Sequence, residues 1–173
     1  LLEFLSKSDD KDLIAEAIMI LSGYPYQCKE VLPYIHKYIT DENDDLRYRC
    51  IISLGWIGDK NAFPLLYKCF QTENNMTNKG YTLSSMRQLY FRIPELKSNI
   101  LEVYKEVMRS NPSQDIILII GLCLQTLLRM KIGIVEDEKG IHSTDSIENI
   151  KEKIKKNLFF NDMDLLRSKK MDE

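Results

Sequence analysis

Apolar residues recur at helical spacing in two stretches of the chain, residues 12–22 and 45–55, which lie thirty-three positions apart. In both stretches the apolar residues are three and four positions apart, the pattern of a helix with one buried face. Each stretch is followed by a second apolar segment with a proline, at 31–35 and at 62–66. Two-helix units repeated at this period are typical of helical solenoids. The pattern therefore predicts an all-α fold of stacked helical pairs.

The first predicted repeat covers residues 9–40. Its first helix should begin at Asp10 or Asp12, because an aspartate there can accept hydrogen bonds from the unpaired N–H groups of the first turn. Pro33 falls near the start of the second helix, where its missing N–H costs no hydrogen bond. The cap of the first helix and the proline of the second thus both indicate one helical pair.

The second predicted repeat, residues 44–72, has the same design, with Asp44 or Asp45 as the expected cap. Two degenerate repeats follow, at 77–110 and at 113–160. The last of these includes an amphipathic C-terminal helix whose charged side suits the cap that a solenoid requires for solubility.

One solenoid domain is expected over residues 1–160. Residues 1–8 have the apolar spacing of the end of a second helix, so the chain is predicted to begin inside a truncated repeat. An acidic run predicts a loop between 133 and 145, and residues 161–173 are expected to form a flexible tail. We expect the exposed N-terminal edge to be covered either by upstream residues of a longer protein or by a second copy of the chain.

Residues 45–47, 54–59 and 62–66 resemble a HEAT repeat, particularly the short bacterial HEAT-like type. The first repeat is similar, but it has Ser22 where glycine is typical and Ile14 where arginine is typical. The resemblance implies a right-handed α-α superhelix, a HEAT-like solenoid of about four helical pairs, with the second helices along its concave side. It implies little about activity, because the family includes scaffolds, adaptors, immunity proteins and a few enzymes.

The charge balance argues against a phosphate-backbone binder, because the 173 residues include 24 basic and 26 acidic side chains. The cysteines have no CxxC spacing, so we interpret them as small core residues in a reducing compartment. No secretory signal pattern and no membrane-length apolar run is present. We therefore predict a cytoplasmic protein without membrane contact. The four cysteines are Cys28, Cys50, Cys69 and Cys123.

No metal site is predicted. Residues 41–45 resemble the start of a calcium loop, but Leu46 stands where glycine is needed and Ile52 where glutamate is needed. HEAT-like iron hydroxylases bind metal through repeated His-Glu pairs, and neither His36 nor His142 is followed by glutamate.

Two enzyme classes explain the residues poorly. A nucleophile pair of Cys28 and His36 is not expected, because the cysteine is on the predicted core face. HEAT-like DNA glycosylases use a basic groove, whereas the only basic cluster here, residues 151–156, alternates with Glu148 and Glu152 like a salt-bridged solvent face. We predict no catalytic residue and no cofactor.

The candidate binding residues lie on the second helices. When Ile35 is placed at the centre of its buried arc, His36 lies on a flank and Lys37 points outward. The same register places Tyr67 and Lys68 at the equivalent positions one repeat later. These four residues form the predicted protein-binding site, because tyrosine and exposed polar groups suit protein interfaces.

Together these features predict a non-enzymatic protein–protein interaction module of bacterial origin, either an adaptor or scaffold or an immunity-type antidote. Its expected partner is another protein, not nucleic acid. The alternative is a HEAT-like DNA-binding or DNA-repair enzyme, such as an alkylbase glycosylase. Only this alternative requires salt-sensitive binding to duplex DNA.

Overall fold

The computed structural model describes residues 1–24 and 26–169, with side chains up to Phe159. The chain divides into two compact units, Leu1–Leu96 and the part that begins at Lys97. Helices dominate both units, so the predicted all-α class is confirmed. The prediction of one continuous domain over 1–160 stays a prediction.

The first unit consists of helical pairs, as the repeat pattern predicted. A 3-10 turn, Lys29–Val31, leads into the third helix, and a second one, Pro94–Leu96, ends the unit. The α-helices of this unit are α1 (Leu2–Lys7), α2 (Lys11–Ser22), α3 (Leu32–Tyr38), α4 (Asp44–Ile57), α5 (Ala62–Thr72) and α6 (Met76–Tyr90).

Side-chain caps start the first helix of each pair. Asp10, Asn43 and Asn75 accept hydrogen bonds from backbone N–H groups in the first turns of α2, α4 and α6. The expectation that Asp44 or Asp45 caps α4 is wrong by one or two residues. Asn43 Oδ1 accepts from the Leu46 N–H at 2.9 Å, and both aspartates lie in the first turn, where their charge favours the positive end of the helix.

Helices α2, α4 and α6 lie side by side and run in the same direction. Glu16 pairs with Arg49 at 2.8 Å, and the Tyr48 and Tyr81 rings lie 4.7 Å apart, so equivalent positions of successive helices meet. Helix α3 packs against α4, and α5 packs against both α4 and α6.

Small residues allow α2, α4 and α6, the first helices of successive pairs, to lie close together. The hydroxyl oxygens of Ser22 on α2 and Ser53 on α4 form a buried hydrogen bond of 2.6 Å. Gly55 of α4 meets Ser85 of α6, and a Cβ atom at Gly55 would lie 2.9 Å from that of the serine. Gly55 corresponds to Ser22, and Ser85 corresponds to Ser53. The same two positions of the repeat are therefore in contact between α2 and α4 and between α4 and α6.

The second unit contains three α-helices and a β-hairpin within its described residues. Helix α8 is buried over most of its surface, and α9 covers it with an apolar side that includes Ile150, Ile154 and Leu158. The elements are α7 (Lys97–Arg109), α8 (Gln114–Leu127), β1 (Ile134–Asp137), β2 (Gly140–Ser143) and α9 (Ile147–Lys169).

The hairpin corrects the prediction of a loop between 133 and 145. Strands β1 and β2 are antiparallel, and Asp137 Oδ1 accepts the Lys139 N–H at 2.8 Å inside the turn. The turn ends at Gly140, whose φ of 93° is in the region that favours glycine. Gln125 of α8 secures the approach to the hairpin, because its side chain bonds the Ile134 N–H and C=O at 3.1 and 2.9 Å.

Helix α9 extends to Lys169, although the last helix was expected to end near residue 160. The remainder of the predicted flexible tail, residues 170–173, lies outside the described residues.

Candidate protein-binding site

The four predicted binding residues lie on two second helices, His36 and Lys37 on α3 and Tyr67 and Lys68 on α5; we call this surface the α3–α5 face. The core residues Ile35 and Leu66 are fully buried. His36, Lys37 and Lys68 are exposed, and Tyr67 is half-buried. Both helices pack against α4. That they bind a protein stays a prediction.

Proline starts both helices. Pro33 is in the first turn of α3, where a backbone N–H has no partner within the helix, and Pro64 has the corresponding place in α5. Each proline therefore fixes the start of a helix without loss of a hydrogen bond.

Lysines and aromatic rings meet on these second helices. Lys37 Nζ lies 2.9 Å from the Tyr38 hydroxyl and 4.6 Å from the centre of its ring. The hydrogen bond to Tyr38 raises the pKa of Lys37, so this lysine stays charged at neutral pH. Lys79 of α6 lies 5.0 Å from the Phe70 ring of α5.

The described thiols near this face favour their protonated form. Cys28 donates to Glu30 Oε2 at 3.1 Å, and this hydrogen bond raises the pKa of the thiol. Burial raises the pKa of Cys69 to about 11. Neither cysteine therefore supplies a thiolate at neutral pH.

The described residues include no group of three or more His, Cys, Asp or Glu side chains that could hold a metal ion. Of the helices in that part of the chain, none is both long and apolar enough to cross a membrane.

A buried ion pair that the sequence did not predict joins two repeats. Arg47 Nε lies 2.9 Å from Glu73 Oε2, and a terminal guanidinium nitrogen lies 2.8 Å from Oε1. The hydrogen bonds from Arg47 lower the pKa of Glu73. The other terminal nitrogen donates to the Asp41 carbonyl at 2.8 Å. Arg47 thus connects the loop before α4 to the loop before α6.

The same kind of contact occurs one repeat earlier. Lys11 Nζ lies 2.8 Å from Asp41 Oδ1, which also accepts the N–H of the cap residue Asn43 at 2.9 Å. Glu73 Oε1 likewise accepts the N–H of the cap residue Asn75 at 2.9 Å. In both loops an acid two positions before the cap bonds the cap and a base of the preceding repeat.

Residues 1–81 match the family model for HEAT repeats. We call this segment, which is similar to HEAT repeats, the HEAT segment. The match covers α1 to α5 and ends within α6, so it includes the whole α3–α5 face. No curated protein and no solved structure gives a significant match to the chain.

Within the HEAT segment, the α4 residues Tyr48 and Trp56 contact the neighbouring repeats. The ring of Tyr48 contacts the ring of Tyr81 on α6 at an interplanar angle of 57°. On the other side, the Trp56 ring lies over Gly23, where a Cβ atom would be 3.6 Å from Cζ3. Both side chains therefore take part in the stacking of repeats.

Proposed function

We propose that the chain is a non-enzymatic protein-binding module, an adaptor or scaffold or an immunity-type antidote, that binds a partner protein through the α3–α5 face. HEAT repeats typically bind other proteins, and this face lies wholly within the HEAT segment. The observation that carries the proposal is the exposure of His36, Lys37 and Lys68 on helices whose buried sides are fixed against α4.

The chemistry of the face is suited to recognition. Tyr67 and the Lys37–Tyr38 contact place apolar ring surface beside positive charge, a combination enriched in protein interfaces. The protonated thiols of Cys28 and Cys69 offer no nucleophile in this region. These features support binding without a reaction.

A cytoplasmic location is part of the same proposal. All four cysteines are free thiols, and three of them are buried. Free buried thiols are the usual state of cysteine in reducing compartments.

Capture by chemical cross-linking in lysate of the source organism tests the proposal. We expect wild type to retain a specific protein that the double variant His36→Ala/Lys68→Ala loses. Lys139→Ala is the matched control, because Lys139 is exposed on the hairpin of the other unit. Equal capture by wild type and the double variant would exclude the α3–α5 face. If the lost protein is a toxin encoded beside this chain, the antidote role is favoured over the scaffold role.

A further inference from the structure

The outer side of α2 lacks the neighbour that the same side of α4 and of α6 has. Four positions of the repeat form this side, and their residues are buried in both later helices: Leu46, Cys50, Ser53 and Ile57 in α4, and Asn78, Thr82, Ser85 and Leu89 in α6. The corresponding residues of the first repeat are Leu13, Ala17, Ile20 and, just after α2, Tyr24. Of these only Ala17 is buried. In the part of the chain that the structure describes, this side of α2 is therefore open.

Ile20 makes this side different from the contacts between the described repeats. At the position of Ile20, the later helices have Ser53 and Ser85. These serines meet the small residues Ser22 and Gly55 of the preceding helix. Isoleucine is larger than serine, so a neighbouring helix cannot approach Ile20 as closely without a clash. The outer side of α2 therefore suits a neighbour that packs apolar side chains on it, at the roughly 8–10 Å separation usual for packed helices.

The free charges at the Leu13 end of this side are negative. Asp9 and Asp12 are both exposed, and neither lies within ion-pair distance of a base that the structure describes. Lys37 of α3 interacts electrostatically with Asp9 over a longer distance, without forming an ion pair. The bases nearest to the two aspartates in sequence are already bonded to acidic side chains: Lys7 and Lys11. A ligand of this side is therefore favoured if it brings a base to the Leu13 end.

We propose that the outer side of α2 binds an amphipathic helix of a second protein, with apolar side chains along one face and lysine or arginine in its last turn. Leu13 and Ile20 are seven residues apart, which is roughly 10 Å along a helix, so apolar residues at the same spacing on the ligand reach both. An antiparallel ligand helix brings its last turn to Asp9 and Asp12, and positive charge is favoured in that turn. None of these residues belongs to the α3–α5 face, so this binding is independent of the function proposed above.

A second copy of the chain fits this side less well. Its α2 supplies the same apolar stripe, but the one base of α2, Lys11, is already bonded to Asp41 and Glu42. Two copies packed through α2 would therefore leave Asp9 and Asp12 without a base from the facing helix. Self-association through this side should be weaker than binding of the basic helix, which competes for the same residues.

Fluorescence anisotropy with a labelled synthetic helix tests the proposal. The probe has leucines three, four and seven positions apart on one face, alanine and glutamine elsewhere, and two lysines in its last turn. One comparison peptide has glutamates in place of the lysines, and another has glutamines in place of the leucines. We expect wild type to bind the lysine probe, and to bind both comparison peptides at least about tenfold more weakly.

Ile20→Lys should weaken binding of the lysine probe at least about tenfold, because a charge then faces the leucines. Phe91→Lys is the matched control, since it changes a comparably exposed apolar residue after α6 and should bind as wild type does. Asp9→Lys/Asp12→Lys should reverse the preference, so that the glutamate peptide binds more tightly than the lysine probe. Asp10, which caps α2, is unchanged in that variant.

No binding of the lysine probe, equal binding by Ile20→Lys and Phe91→Lys, or an unchanged preference in the charge-reversed variant would overturn the proposal. A dimer in sedimentation velocity experiments that the lysine probe does not dissociate would overturn it as well, because a second copy is then the occupant.

Discussion

Ser22 stands where HEAT repeats typically have glycine, and its place in the structure explains the substitution. Its hydroxyl forms a buried hydrogen bond with Ser53 on the next helix, so the added side-chain atoms have a polar partner. The next repeat has Gly55 at the same position, and it faces Ser85. At this repeat position, Ser22 makes a hydrogen bond to the next helix, and Gly55 has no side chain. Both residues allow the neighbouring helices to lie close together.

Gly55→Ala should destabilise the protein by about 1–3 kcal/mol, because the new Cβ atom would lie 2.9 Å from Ser85 Cβ and 3.0 Å from its Cα. Adding Ser85→Gly should recover part of this loss, since it removes the nearest atoms. Adding Ser84→Gly instead should recover nothing. Urea unfolding of the single and double variants gives the coupling energy, and strictly additive costs would show that the two residues do not meet.

Leu54→Ala should lower stability by roughly 2–5 kcal/mol, because Leu54 is fully buried and the substitution leaves a cavity. Lys68→Ala should be nearly neutral for folding, because Lys68 is exposed. The urea midpoints of the two variants check both statements. Similar midpoints would contradict the assignment of core and surface on α4 and α5.

At the scale of helices, the Arg47–Glu73 pair links α4 to the loop before α6. Both side chains are largely removed from solvent, so loss of the arginine would leave a buried carboxylate without its partner. Arg47 also contacts Asp44, whose pKa is lowered by hydrogen bonds from Asn75 and from Arg47. The loop before α4, the first turn of α4 and the loop before α6 are therefore all bonded to one guanidinium group.

Arg47→Met should cost roughly 2–4 kcal/mol at neutral pH. The folded-state pKa of Glu73 is depressed, so the stability it contributes is present above its unfolded pKa and is lost as pH falls through the folded value. The difference between wild type and Arg47→Met should therefore shrink below about pH 4. Chemical unfolding of wild type and of Arg47→Met at neutral and acid pH measures this difference in stability.

Lys7→Met is the control, because it breaks the 2.6 Å pair with Glu3, in which both side chains are mostly exposed. We expect an effect of less than about 1 kcal/mol. An Arg47→Met penalty that stays constant from neutral to acid pH would show that Glu73 does not depend on the arginine.

The repeat period predicted most of these helices, because caps, prolines and apolar spacing are local signals. The Asn43 cap could also have been found, since it lies thirty-three positions after Asp10. The partner of Arg47 could not, because Glu73 lies in a loop and no local pattern connects the two. The hairpin was missed because each strand has only four residues and the acidic run, which begins within β1, resembles a loop. The exposure of the α3–α5 face followed from the helical register, whereas its ligand does not follow from any local pattern.

At the scale of the molecule, the outer side of α2 exposes apolar residues at positions that are buried between repeats one repeat later. Leu13 and Ile20 are 53% and 47% exposed, whereas Leu46 and Ser53, thirty-three positions later, are fully buried against α2. Tyr24 extends this exposed stripe at the end of the helix. This stripe is an exposed edge of the first unit, whereas residues 1–8, which the sequence predicted to form that edge, include the buried Leu5.

We expect this edge to cause concentration-dependent self-association, because exposed apolar stripes of this kind favour contact with another surface. Ile20→Lys should shift the protein toward monomer in sedimentation velocity experiments. Phe91→Lys removes a comparably exposed apolar residue elsewhere in the unit and should have no such effect. A monomer at every concentration, or equal shifts by the two variants, would contradict a role for this edge.

The bonds of the loops before α4 and α6 also determine where the chain can change length. Asp41 and Glu73 each hold a base from the preceding repeat, so an inserted residue there would break a contact between repeats. The turn after α4 is different, because the described hydrogen bonds of Asp59 go only to the nearby Asn61 and Ala62, and the adjacent Lys60 is exposed. Insertions and deletions among related sequences should therefore accumulate at Asp59 and Lys60, where a longer turn leaves the stacking of repeats intact.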